Sequence, residues 1–186
     1  MSCTVLFNKP YGVICQFSAD GTHPTLKNYI DIPNIYAAGR LDTDSEGLLI
    51  LTDDGNLQHR LAHPHHKLPK TYWVQVEGTP DKAALAALMR GVDLGDFTSR
   101  PAHAQLIVEP EGLWTRTPPI RNRVHIPTSW LSLTIKEGKN RQVRRMTAKV
   151  GYPTLRLIRS QIGPFSVAGL TPGAFRYATA EEISAF

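Results

Sequence analysis

The chain has 186 residues, 41% hydrophobic and 20% charged, with 21 Lys and Arg against 16 Asp and Glu. That composition suits one ordinary globular domain, or two small lobes, and excludes a bilayer-spanning segment, since the uncharged apolar runs, Gly47–Leu51 and Ala83–Met89 among them, are all short. Met1–Pro10 lacks the basic and apolar regions of a secretory leader. The two cysteines, Cys3 and Cys15, lack a Cys-x-x-Cys spacing, which argues against a disulfide scaffold or a cysteine zinc site and for a reducing cytoplasm.

The first strand candidates are Val5–Phe7 and Val13–Gln16, separated by the hairpin-like turn Lys9-Pro10-Tyr11-Gly12. Thr25–Ile30 reads as a helical turn. Gly39-Arg40-Leu41-Asp42 opens a polar loop running into the buried-strand sequence Leu48–Leu51, then a turn at Asp53-Asp54-Gly55 and a short helix over Asn56–Ala62. Thr71–Glu77 alternates, with Tyr72, Val74 and Val76 on one face. Thr79 as N-cap and Pro80 in the first helical position predict a helix with Leu85, Leu88 and Met89 on its apolar face, stopped by Gly91.

Ala104–Val108 reads as a strand. Glu109–Ser129 is a proline-rich connection, long enough for a compact domain to suggest function. Leu131, Leu133 and Ile135 alternate as another strand. Asn140 is the expected cap of a helix over Arg141–Val150, with Val143, Met146 and Val150 buried and Gly151 as its left-handed stop. Leu155–Ile162 is the last clear strand, and Ala180–Phe186 a terminal helix. Strands recur as neighbouring pairs, so the expected class is α+β with a mixed, mainly antiparallel sheet.

Charge is unevenly spread. Lys136–Ser160 holds eight basic residues and one acid, whereas the rest of the chain holds 13 basic and 15 acidic residues. A concentrated positive segment attracts phosphate backbones, although a solvated basic helix face is the plainer reading.

Asp42-Thr43-Asp44-Ser45-Glu46-Gly47 places three carboxylates within five residues. A calcium loop is rejected: the flanks are not helices, and position twelve is Asp53 rather than a bidentate Glu. A two-metal nuclease would need further ligands, for which His63-Pro64-His65-His66 is the available but unconvincing source. The third reading makes one carboxylate a nucleophile, kept ionised by a cation. Arg141, Arg144 and Arg145, spaced i, i+3 and i+4, are the natural source of that cation. These residues alone do not distinguish among the three acids.

Four segments together resemble RNA pseudouridine synthases of the RsuA/RluA type, in the form typical of the RsuA branch. They are Gly39-Arg40-Leu41-Asp42 with Gly47–Thr52 and Gly55, Lys70-Thr71-Tyr72, Glu137–Met146, and Leu155–Gly163. Asn8-Lys9-Pro10-Tyr11, Tyr36-Ala37-Ala38-Gly39 and the insert Pro118–Trp130 narrow the resemblance to enzymes of the large ribosomal subunit. The resemblance implies the pseudouridine synthase catalytic fold, as a single domain over residues 1–186 without an N-terminal S4 RNA-binding domain.

It also implies that Asp42 is the nucleophile, attacking a flipped uridine of 23S ribosomal RNA at C1′ or C6. Tyr72 would stack on the uracil, Arg144 would pair with Asp42, and Leu157 would pack beneath Tyr72. Arg40 would fill the place left by the extruded base, while Lys70, Arg141, Gln142 and Arg145 would contact RNA. Asp44 and Glu46 are left as loop-shaping or solvated acids. No metal or cofactor is expected, because the product is an isomer of the substrate. A cytoplasmic monomer is expected; a non-catalytic RNA-binding or ribosome-assembly protein is the alternative.

Overall fold

The computed structural model describes residues 2–62, 68–121 and 123–186, and the histidine cluster at 63–66 therefore lies outside the described residues. The chain divides into two compact units, one formed by Met1–Leu68 with Arg159–Phe186 and the other by Pro69–Ile158. Both combine strands with helices, as an α+β chain does, and none of the described helices is long and apolar enough to cross a membrane.

The first unit is built on β1 (Thr4–Lys9), which pairs antiparallel with β3 (Glu46–Thr52) on one side and β9 (Phe175–Tyr177) on the other. This explains the fate of Val13–Gln16. With both edges of β1 occupied no hairpin partner fits, and the segment makes only an isolated bridge, Ile14 to Thr25. β2 (Tyr36–Ala37) also joins β3, and α1 (Gly55–Ala62), β8 (Phe165–Ser166) and α4 (Ala180–Ser184) complete the unit. Thr25–Ile30 forms a single 3-10 turn over Leu26–Asn28. Val5, Phe7, Leu26, Ile30, Ile35, Leu49 and Leu51 form its core. Burial of each such side chain is worth about 1.5–3 kcal/mol.

In the second unit, β4 (Lys70–Glu77), β5 (His103–Ile107) and β6 (Thr128–Ile135) form an antiparallel sheet in the order β5–β6–β4, and the first part of β7 (Thr154–Ile162) follows β4. The alternation is obeyed: Tyr72, Val74 and Val76 face a core shared with Leu131, Leu133, Ile135, Val143, Met146 and Leu157.

Two caps differ from expectation. α2 (Lys82–Arg90) is capped by Asp81, whose carboxylate accepts the Ala84 N–H at 2.7 Å, so Thr79 and Pro80 lie outside the helix. Its buried face is Ala84 and Leu88, while Met89 is largely exposed. α3 (Gln142–Lys149) is capped not by Asn140 but by Arg141, in the left-handed conformation at φ 48°. Gly151 at φ 95° closes the helix as expected.

Candidate active site

The polar loop after Gly39 belongs to the first unit, and its backbone is held at successive residues. The Arg40 carbonyl accepts from Arg159 Nη1 at 3.2 Å. Leu41 is tied twice to Cys15: its N–H donates to Sγ at 3.3 Å, and Sγ donates to its carbonyl at 3.2 Å. The Asp42 carbonyl accepts the Ser45 N–H at 3.0 Å, and the Thr43 carbonyl accepts the Gly12 N–H at 2.8 Å. Leu48, at the far end, gives its carbonyl to Arg159 Nε at 2.9 Å. Asp42 itself is half-buried on this braced segment, and Arg40 is exposed.

Beneath the loop lies a lysine that sequence reasoning treated as part of a turn. Lys9 is fully buried, with Nζ donating to the carbonyls of Val13 at 2.7 Å, Pro10 at 2.9 Å and, more weakly, Thr43 at 3.5 Å. Burial pushes its ammonium down to about 8, a fall opposed by Cys15, Glu46 and Asp44 and reinforced by the nearby Arg159 guanidinium. Glu46 is 2% exposed, so it is not a solvated acid; it starts β3 and offsets buried positive charge. Lys9 had a signal in the sequence, because it falls on the parity of Val5 and Phe7 along β1. Arg159, 5% exposed, had the same signal: it falls on the parity of Leu155 and Leu157 along β7.

The other seven expected site residues belong to the second unit. Tyr72 (9% exposed) and Leu157 (6% exposed) lie in one core cluster. Lys70 opens β4, its Nζ 4.0 Å from where a β-carbon on Gly138 would sit. Arg144 is half-buried on α3, and Arg141 is exposed. Because Arg141 is the left-handed cap, the three arginines do not form a continuous helical face.

Gln142 is buried, and its amide serves the helix start: Oε1 accepts the Lys139 N–H at 3.2 Å and Nε2 donates to Glu137. Such a side chain positions the basic segment rather than offering a face to RNA. Arg145 donates to Asp96 and, at 3.0 Å, to the Leu94 carbonyl. Its guanidinium lies 5.2 Å from the Phe97 ring centroid, with Lys139 Nζ at 3.8 Å from the same ring. Part of its charge is therefore already engaged within the protein.

Part of the long insert forms the wall of a concavity of about 270 Å³ lined by Gln75, Trp114, Arg116, Trp130 and Arg156. Arg156 Nη2 donates to the Trp114 carbonyl at 2.9 Å, and Arg116 Nε to that of Pro118 at 2.8 Å. The guanidiniums thereby fix the insert's course.

Residues 4–149 match the family model described as RNA pseudouridylate synthase. The chain belongs to the RNA pseudouridylate synthase family. Ribosomal large subunit pseudouridine synthase E of Xanthomonas campestris pv. campestris is 58% identical over 174 residues, covering 92% of this chain and 93% of its own. The Vibrio vulnificus protein of the same name is 52% identical over 172 residues, covering 92% and 73%. A solved structure described as pseudouridylate synthase superposes with a TM-score of 0.82 at 30% identity, covering all of this chain and 74% of its own.

In this pseudouridylate synthase family member, the loop that carries Asp42 is closely braced through its backbone. Five of its backbone groups between Arg40 and Thr43 are bonded to protein donors or acceptors. A polar segment fixed in this way presents a side chain with little conformational entropy left to lose on binding.

Proposed function

We propose that this synthase converts a specific uridine of 23S ribosomal RNA to pseudouridine, with Asp42 as the nucleophile. The braced loop carries this reading, because a nucleophile must be held close to its attack geometry. The names of the 52–58% identical relatives support a large-subunit target.

A carboxylate oxygen of Asp42 attacks the flipped nucleotide at C1′ of the sugar or C6 of the uracil. The N1–C1′ bond breaks, the uracil turns, and C5 bonds to C1′. C5 then loses its hydrogen, N1 gains a proton, and Asp42 is released. Substrate and product are isomers, so no oxidant or reductant enters the balance. Extruding the nucleotide costs a few kcal/mol. Stacking on Tyr72 returns about 1–3 kcal/mol of that.

Arg144 serves as the cationic partner of Asp42, Leu157 supports Tyr72, and Arg40 occupies the vacated stack. Lys70, Arg141 and Arg145 meet the RNA backbone, with Gln142 ordering the segment that presents them. The Trp114 insert contributes to choosing the target. The enzyme acts as a monomer in the cytoplasm.

Carbodiimide treatment and primer extension on ribosomal RNA from a deletion strain and its parent test the assignment. One large-subunit stop should vanish on deletion and return with the wild-type gene, but not with Asp42→Asn. An unchanged map would overturn it.

A further inference from the structure

We propose that Arg159 is a positioning residue for the reaction, its buried guanidinium clamping the two ends of the loop that carries Asp42. This rests on Asp42 being the nucleophile.

The geometry is specific. Arg159 Nη1 donates to the Arg40 carbonyl at 3.2 Å and Nε to the Leu48 carbonyl at 2.9 Å. Those acceptors bracket the whole turn from Arg40 to the first buried residues of β3. The third nitrogen, Nη2, is buried without a hydrogen-bond partner among the described residues. Burying a guanidinium is expensive, and leaving one of its donors unmet makes it more so. An apolar side chain of similar volume would avoid that cost but could not bridge the Arg40 and Leu48 carbonyls, a span that a planar fork reaches.

Lys9 reaches the middle of the same turn, weakly, through the Thr43 carbonyl, and ties it to the neighbouring segment through the carbonyls of Pro10 and Val13. A second clamp comes from backbone packing. Gly47 lies so close to Arg159 that a β-carbon there would meet the Arg159 nitrogen at 2.8 Å. Side chain and main chain of one residue thus fix the same loop. An error of about 1 Å in a reacting group can cost on the order of a hundredfold in rate, so the clamp bears on turnover and much less on RNA affinity.

The test uses the full chain with 23S ribosomal RNA transcribed in vitro. Conversion is followed by release of tritium from C5-labelled uridine, alongside RNA affinity and Tm. Lysine at 159 reaches one carbonyl but not both, and methionine reaches neither. Arg159→Lys should therefore lose about tenfold in kcat and Arg159→Met about a hundredfold, with KM and RNA affinity within threefold of wild type.

Arg176→Ala, which removes the ion pair with Glu182 in the same unit, is the stability comparator; it should lower Tm while kcat per folded molecule holds. The proposal falls if folded Arg159→Met turns over like wild type, if the loss lies in KM alone, or if Arg176→Ala reproduces it. Should Arg159→Met not fold, Arg159→Lys and Arg159→Gln carry the same comparison. Failure of the Asp42 assignment is seen separately, as turnover by Asp42→Asn whatever Arg159 variants do.

Discussion

Gly47 packs against the main chain of Arg159 so tightly that a β-carbon on it would stand 2.4 Å from the Arg159 carbonyl oxygen. The obstacle is backbone on a buried strand, which cannot swing aside, and Gly47 also holds φ at 102°. Both effects oppose any side chain. Gly47→Ala should therefore destabilise the protein by roughly 2–4 kcal/mol. Urea unfolding decides this, and a midpoint matching wild type would mean that β3 and Arg159 are less closely apposed.

Replacing Asp42 by Asn keeps the side chain's size and removes its nucleophilic oxygen. Tritium release from C5-labelled uridine should fall by about a thousandfold or more, as expected when a covalent step is lost, while RNA affinity stays within a few fold. Wild-type turnover by Asp42→Asn would remove it from the chemistry.

Element identity was legible where side chains alternate and the pattern is long. Tyr72, Val74 and Val76 on β4, and Leu131, Leu133 and Ile135 on β6, reported their buried face directly. The first hairpin misled because local turn chemistry at Lys9–Gly12 says nothing about which distant strands claim the edges of β1; β3 and β9 took both. The helix starts misled for a related reason. Thr79, Asp81 and Asn140 are all capable caps, and tertiary placement of the following apolar residues selects among them. The motif residues of the site are readable in order, whereas the roles of Lys9 and Arg159 are not: parity places each inside a strand, and only the carbonyl partners in the fold show what a buried cation there holds.

That cap selection is directly testable. Asp81→Ala removes the carboxylate bonded to the Ala84 N–H and should cost about 1 kcal/mol. Thr79→Ala should leave the denaturation midpoint within a few tenths of a kcal/mol of wild type, as surface changes usually do. Equal losses in the two variants would return the cap to Thr79.

Arg141 is exposed at the left-handed cap. Arg145 donates to both oxygens of Asp96, whose carboxyl its guanidinium keeps below the usual range. Arg141→Ala should weaken RNA binding and reduce the slope of log affinity against log salt by about 0.7–0.9, the signature of one lost phosphate contact. Arg145→Ala should change that slope by less than one full phosphate contact would, because Asp96 partly neutralises its charge within the protein. Binding isotherms across a salt series separate them, and a larger slope change for Arg145 would show that its pairing with Asp96 yields to RNA.

Lys9 gives a pH dependence whose sign follows from its burial. Its proton is held less tightly in the folded protein, near 8, than at the ordinary lysine value of 10.5. Between those values the unfolded chain binds more protons than the native state, so this group's contribution to stability rises with pH. The cost of burying the charge is fully present below pH 8 and is relieved by about pH 10.5. Lys9→Met abolishes that titration, though it also strands the carbonyls that Nζ serves and so lowers stability at every pH. The wild-type advantage over Lys9→Met should therefore widen between pH 8 and 10, with a slope no steeper than about 1.4 kcal/mol per pH unit. Urea midpoints for both proteins at half-unit steps measure this difference. Parallel curves would mean that Lys9 stays charged throughout, with Cys15, Glu46 and Asp44 outweighing the desolvation that lowers it.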